Sequence, residues 1–236
     1  MKKPREMISE HLPTYGRRNK LSANDKAIMK LIEYASNEEW VSNDTPKSIH
    51  EVLEVGCGLG VLLEPLWKSG YNIMGADGDE NCVRIAGQFA PTIQMDASLP
   101  WAFPDNSQDL VIMSHSLEHV NDPLQAVMEA QRVAKWQIFA IPNPTRPEVF
   151  CFTNLFRMDY SNYGHLCTWD RSHFRYFLER KAGLEIVKWA EDEVRFMLGP
   201  LIRLDKGPIR FIEEKVLTKL FPYYTTSCIV LTRRKD

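Results

Sequence analysis

The sequence predicts an α/β domain, a mostly parallel sheet with helices on both faces. Three observations lead there. From residue 49 onward, short apolar runs alternate with helical stretches at the spacing of crossover units. One of those runs, Val52 to Val55, opens into a turn carrying Gly56, Gly58 and Gly60 ahead of an apolar helical segment. Carboxylates stand where successive strands would end, at Glu54, Asp77 and Asp96. With 236 residues the chain is long enough for one large core with additions.

The elements follow in order. Residues 1–20 hold six basic side chains against two acidic ones and read as a solvated arm. Ser22 is an N-cap for a helix to about Ser36, with Ile28, Leu31, Ile32 and Ala35 on the face that packs across the sheet or covers a ligand. Ile49 to Val55 is the first strand. Leu59 to Ser69 is helical in tendency, interrupted by Pro65. Tyr71 to Asp77 is a strand, Asp79 to Phe89 a helix and Thr92 to Asp96 a short strand. Gln108 to Ser114 is a buried strand, Pro123 to Ala134 a helix with proline in its first turn, and Gln137 to Ile141 another strand.

Pro142 to Cys167, rich in Pro, Asn and aromatics, breaks the rhythm, and a connection of that length reads as a lid or binding loop. Thr168 then caps a helix carrying Phe174, Phe177, Leu178 and Ala182, with Gly183 at its end. Leu184 to Ala190 is a strand, Pro208 to Leu220 an amphipathic helix and Ser227 to Arg233 the closing strand. The expected organisation is an N-terminal arm and helix over the site (1–45) and a main domain (46–236) with insertions at 142–168 and about 193–225.

Composition narrows the function. A formal net charge of -2 argues against a general role in binding long nucleic acids. No apolar run reaches the length of a membrane span, and the polar start MKKPREMISEH does not look like a secretory signal, so the expectation is a soluble, cytoplasmic protein. Five cysteines without a C-x-x-C pair read as reduced thiols, mostly buried as small hydrophobes.

Strand, glycine turn and helix N-terminus together form a nucleotide-type binding corner, because glycine permits positive φ and lets a ligand approach the backbone. The dinucleotide pattern G-x-G-x-x-G does not fit, since the third glycine follows after one residue. A carboxylate at the end of the second strand, Asp77, is the group that accepts hydrogen bonds from a ribose diol, and one at the third, Asp96, can accept from an exocyclic amine. Asp79 could be a helix N-cap.

At these residues the chain resembles a family. Glu54, Gly56, Gly58 and Gly60, then GADGDE, then QMDASLPWAFPDNSQDLVIMSHSLEHV are similar to motifs of the class I, Rossmann-like S-adenosylmethionine-dependent methyltransferases, over roughly residues 49–190. The resemblance implies a three-layer sandwich with a mostly parallel seven-stranded sheet whose last strand, Ser227 to Arg233, is antiparallel. It implies S-adenosylmethionine as cofactor and S-adenosylhomocysteine as product. The glycine turn then faces the methionine moiety, Asp77 the ribose, and Asp96 with Ala97 the adenine. The full expected cofactor set is Glu54, Gly56, Cys57, Gly58, Gly60, Asp77, Gly78, Asp96, Ala97 and Ser114.

Methyl transfer from a sulfonium is an in-line displacement, so the protein must align the partners and, for a hydroxyl acceptor, take up a proton. SHSLEHV supplies candidates. His115, Glu118 and His119 follow the fourth strand at offsets that share one face of a helical turn, and His165 joins them if the long loop folds back. These four could bind a divalent metal, which is possible but not the favoured reading; without metal a histidine is the general base: His165 first, with His115 and His119 as further candidates.

Quinone-type O-methyltransferases and the 2'-O-methyltransferases of small-RNA 3' ends look similar here but carry E-x-x-E-H. With His115 in place of the first Glu, this chain favours a softer ion with imidazole ligands over magnesium. In many metal-free methyltransferases the Leu-Glu-His-Val stretch only anchors a loop.

His173 reads as structural, and His11 and His50 carry no signal. Asn143-Pro144 follows the fifth strand and reads as a rigid turn. The aromatics Phe150, Phe152, Phe156, Tyr160, Tyr163 and Trp169 are candidate pocket walls.

The expected activity is O-methylation of a small-molecule or glycan-like hydroxyl. The alternatives are a metal-assisted RNA 2'-O-methyltransferase and a non-catalytic partner subunit that binds S-adenosylmethionine.

Overall fold

The computed structural model of the chain describes residues 20–38, 49–146, 164–194 and 216–235. The expected basic arm, apart from Lys20, lies outside them, as do the aromatics from Phe150 to Tyr163 and most of the expected helix from Pro208.

Seven strands form one sheet: β1 (Glu51–Val55), β2 (Asn72–Asp77), β3 (Thr92–Gln94), β4 (Gln108–Ser114), β5 (Ala134–Pro142), β6 (Glu185–Ala190) and β7 (Ser227–Arg233), in the order β3-β2-β1-β4-β5-β7-β6. β1, β2, β3, β4 and β5 run parallel, while β7 is antiparallel to both β5 and β6. The strand order reverses direction between β1 and β4, and in open α/β sheets the crevice at that switch point, at the carboxyl ends of the strands, is where ligands bind.

Two apolar clusters cover the two faces of the sheet. On one, α1 (Ala23–Glu38) buries Ile28, Leu31, Ile32 and Ala35 against Val52, Leu110 and Ile112. Its start is a capping box. Ser22 Oγ accepts the Asp25 N–H at 3.2 Å, and Asp25 Oδ2 accepts the Ser22 N–H at 2.7 Å. The cap is worth about 1 kcal/mol and each fully buried Leu or Ile about 1.5–3 kcal/mol, so packing, not the cap, holds α1 on the sheet.

On the other face, α4 (Pro123–Val133) buries Ala126, Val127, Ala130 and Val133, and α5 (Arg171–Tyr176) buries Phe174. Two shorter helices, α2 (Leu63–Lys68) and α3 (Glu80–Ala86), complete the crossovers of β1–β2 and β2–β3.

Several boundaries differ from the sequence reading for local reasons. Residues 59–62 form turns, and the helix begins at Leu63. This puts Pro65 in the first turn, where its missing N–H has no intrahelical partner to lose. The cap before α5 is Asp170, not Thr168, since the Asp170 carboxylate accepts the N–H groups of Ser172 at 2.8 Å and His173 at 3.0 Å. α5 then runs into a π-helical turn over Phe177–Lys181, and Gly183 follows at φ +76°. β3 stops at Gln94, which leaves Asp96 in the connection beyond it, and β5 is longer at both ends than the sequence suggested. Of the expected helix to Leu220, the described part ends in the short turn Thr218–Leu220.

Below the site, Arg132 ties α4 to the loop after β3. Its guanidinium donates to both Glu129 oxygens, to Asp105 at 2.6 Å and to the carbonyls of Phe103 and Trp101, while Glu129 Oε2 also accepts the Trp101 N–H at 2.7 Å. The hydrogen bonds from Arg132 hold the Glu129 carboxyl below its usual range despite partial desolvation.

No helix among the described residues is long and apolar enough to cross a membrane. Cys57, Cys82 and Cys228 are buried free thiols, and Cys167 is half-buried. Burial pushes the Cys82 and Cys228 thiols up to about 12.

Candidate functional site

The glycine corner sits at the carboxyl ends of β1 and β2. Gly56, Gly58 and Gly60 all have positive φ, at +77°, +51° and +74°, but each for a different reason. A Cβ on Gly56 would meet Ser116 Cβ at 2.2 Å, because the chain leaving β4 crosses directly above the turn and Ser116 Oγ donates to the Val55 carbonyl at 2.9 Å. A Cβ on Gly60 would press on Ala86 of α3 at 3.1 Å, so that glycine serves helix packing. Around Gly58 nothing lies within 4 Å of the added carbon, which leaves open space above the backbone.

Asp77 locks this loop from β2. Its Oδ2 accepts the Gly58 N–H at 2.8 Å and its Oδ1 the Asp79 N–H at 2.9 Å. Burial raises its pKa, while the two backbone donors pull it back down. Asp79 does a different job, capping α3 through the N–H groups of Asn81 and Cys82. Beyond β3, Asp96 Oδ1 accepts the Ser98 N–H at 3.0 Å, and the Ala97 carbonyl accepts from the Trp101 indole at 3.2 Å. Gly78 takes a hydrogen bond from the Gln94 amide on its carbonyl. Cys57 lies under the turn, with burial pushing its thiol far above the ordinary range.

Glu54 is the exception in an otherwise apolar β1. It is 4% exposed, its Oε2 has no hydrogen-bond partner among the described residues, and burial, then Asp25, then Asp77 raise its pKa well above that of an ordinary carboxyl. Asn24, in the first turn of α1, donates through Nδ2 to Ser114 Oγ at 3.1 Å. Neither Asn24 nor Ser116 stands out in the sequence. The first is hidden in a capping turn, and the second meets Gly56 only because β1 and β4 are neighbours.

The histidine edge lies beside this corner, past the end of β4. His115 adopts φ +52°, a left-handed conformation costing about 1–2 kcal/mol for a residue with a Cβ, which marks a tightly determined position. Its N–H donates to the Ala140 carbonyl, its Nε2 lies 3.3 Å from Ser227 Oγ, and its Nδ1 is 3.6 Å from Glu118 Oε1.

A 3-10 turn over Leu117–His119 follows. The segment 164–167 straps onto it, for the N–H groups of Leu166 and Cys167 donate to the Glu118 carbonyl at 2.8 and 3.2 Å. His119 Nδ1 lies 3.0 Å from the Gly164 carbonyl, to which it donates, and Nε2 faces Glu118 Oε1 at 4.0 Å. The His119 and His165 rings meet edge to face at 4.9 Å.

The result is a cluster around an orphaned charge. Glu118 is 2% exposed, and both of its carboxylate oxygens lack hydrogen-bond partners among the described residues. Glu118, His119 and His165 offer ligand atoms all within 4.8 Å of one another. His115 reaches Glu118 but stands outside this triad, so the candidate four-ligand set is three with His115 alongside. Desolvation lowers the His165 pKa, and the neighbouring His119, His115 and Arg146 act in the same direction against the pull of Glu118. At neutral pH His165 is therefore an uncharged imidazole, able to accept a proton or bind a cation.

Asn143 ties the turn after β5 to the segment before β7. It donates to the carbonyls of Tyr223 and Thr225 and accepts from the backbone N–H and hydroxyl of Thr145, all through its amide. Trp169 packs on Phe174 and Phe177. His173 lies outside both regions and pairs with Asp170 at 2.5 Å.

The family described as "Methyltransferase domain" matches residues 53–137, which span the glycine corner, β4 and the 3-10 turn. Among curated relatives, the ubiquinone biosynthesis O-methyltransferase of Ralstonia nicotianae is 29% identical over 104 residues, 41% of this chain and 44% of that protein. The demethylmenaquinone methyltransferase of Renibacterium salmoninarum is 34% identical over 86 residues, 36% of each chain. The chain thus spans less than half the length of these relatives.

Solved structures match more of it. A chain from the complex of the Haloferax volcanii Trm112 methyltransferase activator with a putative methyltransferase superposes with a TM-score of 0.58 at 15% identity, over 93% of this chain and all of the other. The magnesium protoporphyrin IX methyltransferase of Synechocystis, solved with S-adenosylhomocysteine bound, superposes with a TM-score of 0.57 at 14% identity, over 98% of this chain and 94% of the other.

Proposed function

We propose that this chain, a member of the class I, Rossmann-like S-adenosylmethionine-dependent methyltransferases, methylates a hydroxyl of a small-molecule or glycan-like acceptor. The observation that carries the acceptor chemistry is the orphaned Glu118 carboxylate among three histidines, next to the glycine corner.

S-adenosylmethionine supplies an electrophilic methyl on a sulfonium. The protein's work is to hold it and to receive a proton. Asp77 is assigned to the ribose hydroxyls: its two oxygens already order the Gly58 and Asp79 loops and have lone pairs to spare. The open backbone at Gly58 is assigned to the methionine side, with Glu54, Gly56, Cys57 and Ser114 around it, and Gly78, Asp96 and Ala97 to the nucleoside side.

On the acceptor side, His165 takes the hydroxyl proton as the new O–CH3 bond forms and the C–S bond breaks. Its lowered pKa keeps it in the base form at neutral pH. Glu118 stabilises the imidazolium that results, and His119 holds the strap through Gly164.

One observation favours a second reading, with metal. A carboxylate without hydrogen-bond donors, a histidine with its tautomer fixed by a carbonyl, and a neutral imidazole, all within ligand spacing, fit a divalent cation. Glu118, His119 and His165 would hold it, and when bound it would lower the acceptor's pKa and orient it. Two imidazoles with one carboxylate favour a borderline transition ion over magnesium. Elemental analysis after purification without added metal, followed by chelator dialysis, checks this reading. Full turnover in protein stripped of metal removes it.

The function itself is tested with labelled S-adenosylmethionine and acceptors grouped as sugars, phenols, lipids and RNA. Label appearing in a sugar or phenol hydroxyl is expected. Label in RNA, with binding that falls steeply with salt, would replace the small-molecule acceptor by the RNA reading. Cofactor binding with no transfer to any class would replace the enzyme by a non-catalytic binding subunit.

A further inference from the structure

Of the half-buried arginines among the described residues, Arg132, Arg171, Arg233 and Arg234 each donate to a carboxylate or a backbone carbonyl. Arg146 is the exception. Its Nε is buried and no acceptor among the described residues receives that N–H. Nor does a carboxylate among them pair with it, although Arg132, Arg171 and Arg233 each have one. A charged group withdrawn from water without acceptors is costly, and here the missing acceptor has to come from a ligand.

The backbone that carries Arg146 is fixed. Ile141 and Pro142, at the end of β5, pair with Cys228 and Ser227 of β7. Next, Asn143 Oδ1 accepts the Thr145 N–H at 3.0 Å and the Thr145 hydroxyl at 2.8 Å, while its Nδ2 holds the carbonyls of Tyr223 and Thr225. This Asx turn leads directly into Arg146. Four residues separate Pro142 from Arg146, at most about 14 Å of chain and less where it turns.

The same strand end lines a narrow cleft of about 190 Å³. Ile141, Pro142 and Trp169 give it apolar walls, and Glu118 and His165 give it polar ones. Arg146 stands outside that lining, yet its charge reaches His165, where it opposes Glu118. Glu118 has histidines beside it. The positive charge has no counterion among the described residues.

We propose that Arg146 binds an anionic substituent of the acceptor, a carboxylate or a phosphate, while the acceptor's hydroxyl meets His165. The acceptor is then a hydroxylated organic anion, which rests on the hydroxyl-methyltransferase reading of this site and narrows it. A guanidinium suits either anion, since its N–H groups form a planar fork that matches two oxygens. The apolar walls of the cleft suit the carbon skeleton that joins the hydroxyl to the anion.

Two pairs of compounds test this, each pair with and without the charge: 4-hydroxycinnamate with its methyl ester, and glucose 6-phosphate with glucose. Calorimetry on the full chain saturated with S-adenosylhomocysteine should show the anion of one pair bound about 10- to 100-fold more tightly than its neutral partner, the scale of hydrogen bonds to a charged group. The pair that shows it tells carboxylate from phosphate. Arg146→Gln should abolish the preference, Arg146→Lys should restore part of it because charge returns without the fork, and S-adenosylhomocysteine affinity should stay the same in both.

A wild-type protein that binds anion and neutral partner equally in both pairs overturns the assignment, and that measurement needs no variant to fold. A preference that survives in Arg146→Gln overturns it too. Failure of the wild type to bind S-adenosylhomocysteine overturns the methyltransferase reading itself, a separate outcome from the loss of anion preference.

Discussion

The glycine corner is assembled from one stretch of chain, Glu51 to Asp96, and its loops are tied by backbone donors to Asp77 and to the Ala76 carbonyl. The histidine edge is assembled from two distant stretches, 115–119 and 164–167, joined by the hydrogen bonds at the Glu118 carbonyl and at His119. In the corner Asp77 and Asp79 each accept backbone donors, whereas at the edge the Glu118 carboxylate accepts none. The contrast separates two tasks. One half is a set of loops tied by backbone donors, although the buried Glu54 Oε2 has no hydrogen-bond partner among the described residues, and the other surrounds a buried carboxylate that has no partner on either oxygen.

The sharpest way to separate the halves is His165→Ala. It should lower turnover by about 10²–10⁴-fold, the usual contribution of a positioned base, with S-adenosylhomocysteine affinity unchanged. A variant that keeps turnover removes His165 from the chemistry. The same group sets the pH response. Because its pKa is lowered from 6.5, kcat/KM should stay flat through that pH and fall only below it, as His165 becomes protonated; an acid limb above 6.5 would contradict the assignment.

Asp77→Ala attacks the other half and should weaken S-adenosylhomocysteine about a hundredfold in calorimetry, the scale of losing hydrogen bonds to a charged group. Unchanged affinity would remove Asp77 from the ribose.

Within the corner, Gly56→Ala should cost about 2–4 kcal/mol in urea unfolding, since strain from φ adds to collision with Ser116, and Gly58→Ala about 1 kcal/mol from φ alone. Ser116→Gly in the Gly56→Ala background should recover part of the loss, and no recovery would mean the collision is relieved elsewhere.

A further modest effect is expected away from both halves. Arg132→Met removes the partner that depresses the Glu129 pKa. In the parent that depression stabilises the fold above the usual carboxylate pKa and is lost as pH falls through the lowered value. The variant should therefore be less stable at neutral pH, by about 1–2 kcal/mol, with the gap closing toward low pH. A gap that persists in acid would point to packing instead.

The same contrast explains what could be read from the sequence. The corner was legible because its parts are local. Strand period placed Asp77 at the end of β2, alternate glycines marked the turn, and family motifs gave the order. The parallel sheet was legible from the alternation of strands and helices, and the antiparallel β7 only from what the family resemblance implies.

Other features depend on which strands become neighbours. Ser116 is an ordinary serine until β4 lies beside β1, and Asn24 looks like part of a cap until α1 lies over Ser114. Thr168 and Asp170 are both capping residues two positions apart, and only the two N–H groups that reach Asp170 decide between them. At the edge the residue types were legible, but which three of the four would converge was not. His115 is turned aside by its left-handed backbone and by Ser227 of β7, a partner 112 positions away.

That position of β7 has a consequence for how the molecule is made. β7 lies between β5 and β6 yet comes after both in the chain, and among the described residues β6 has no other strand to pair with. During synthesis β5 must wait with one edge open, and β6 must wait without a sheet at all, until residues 227–233 have left the ribosome. Pairing across such sequence distances is slow, and an open edge strand is what chaperones recognise or neighbouring chains capture. Until β7 closes that edge, His115 also lacks its Ser227 contact, so the histidine edge is completed later in biogenesis than the glycine corner.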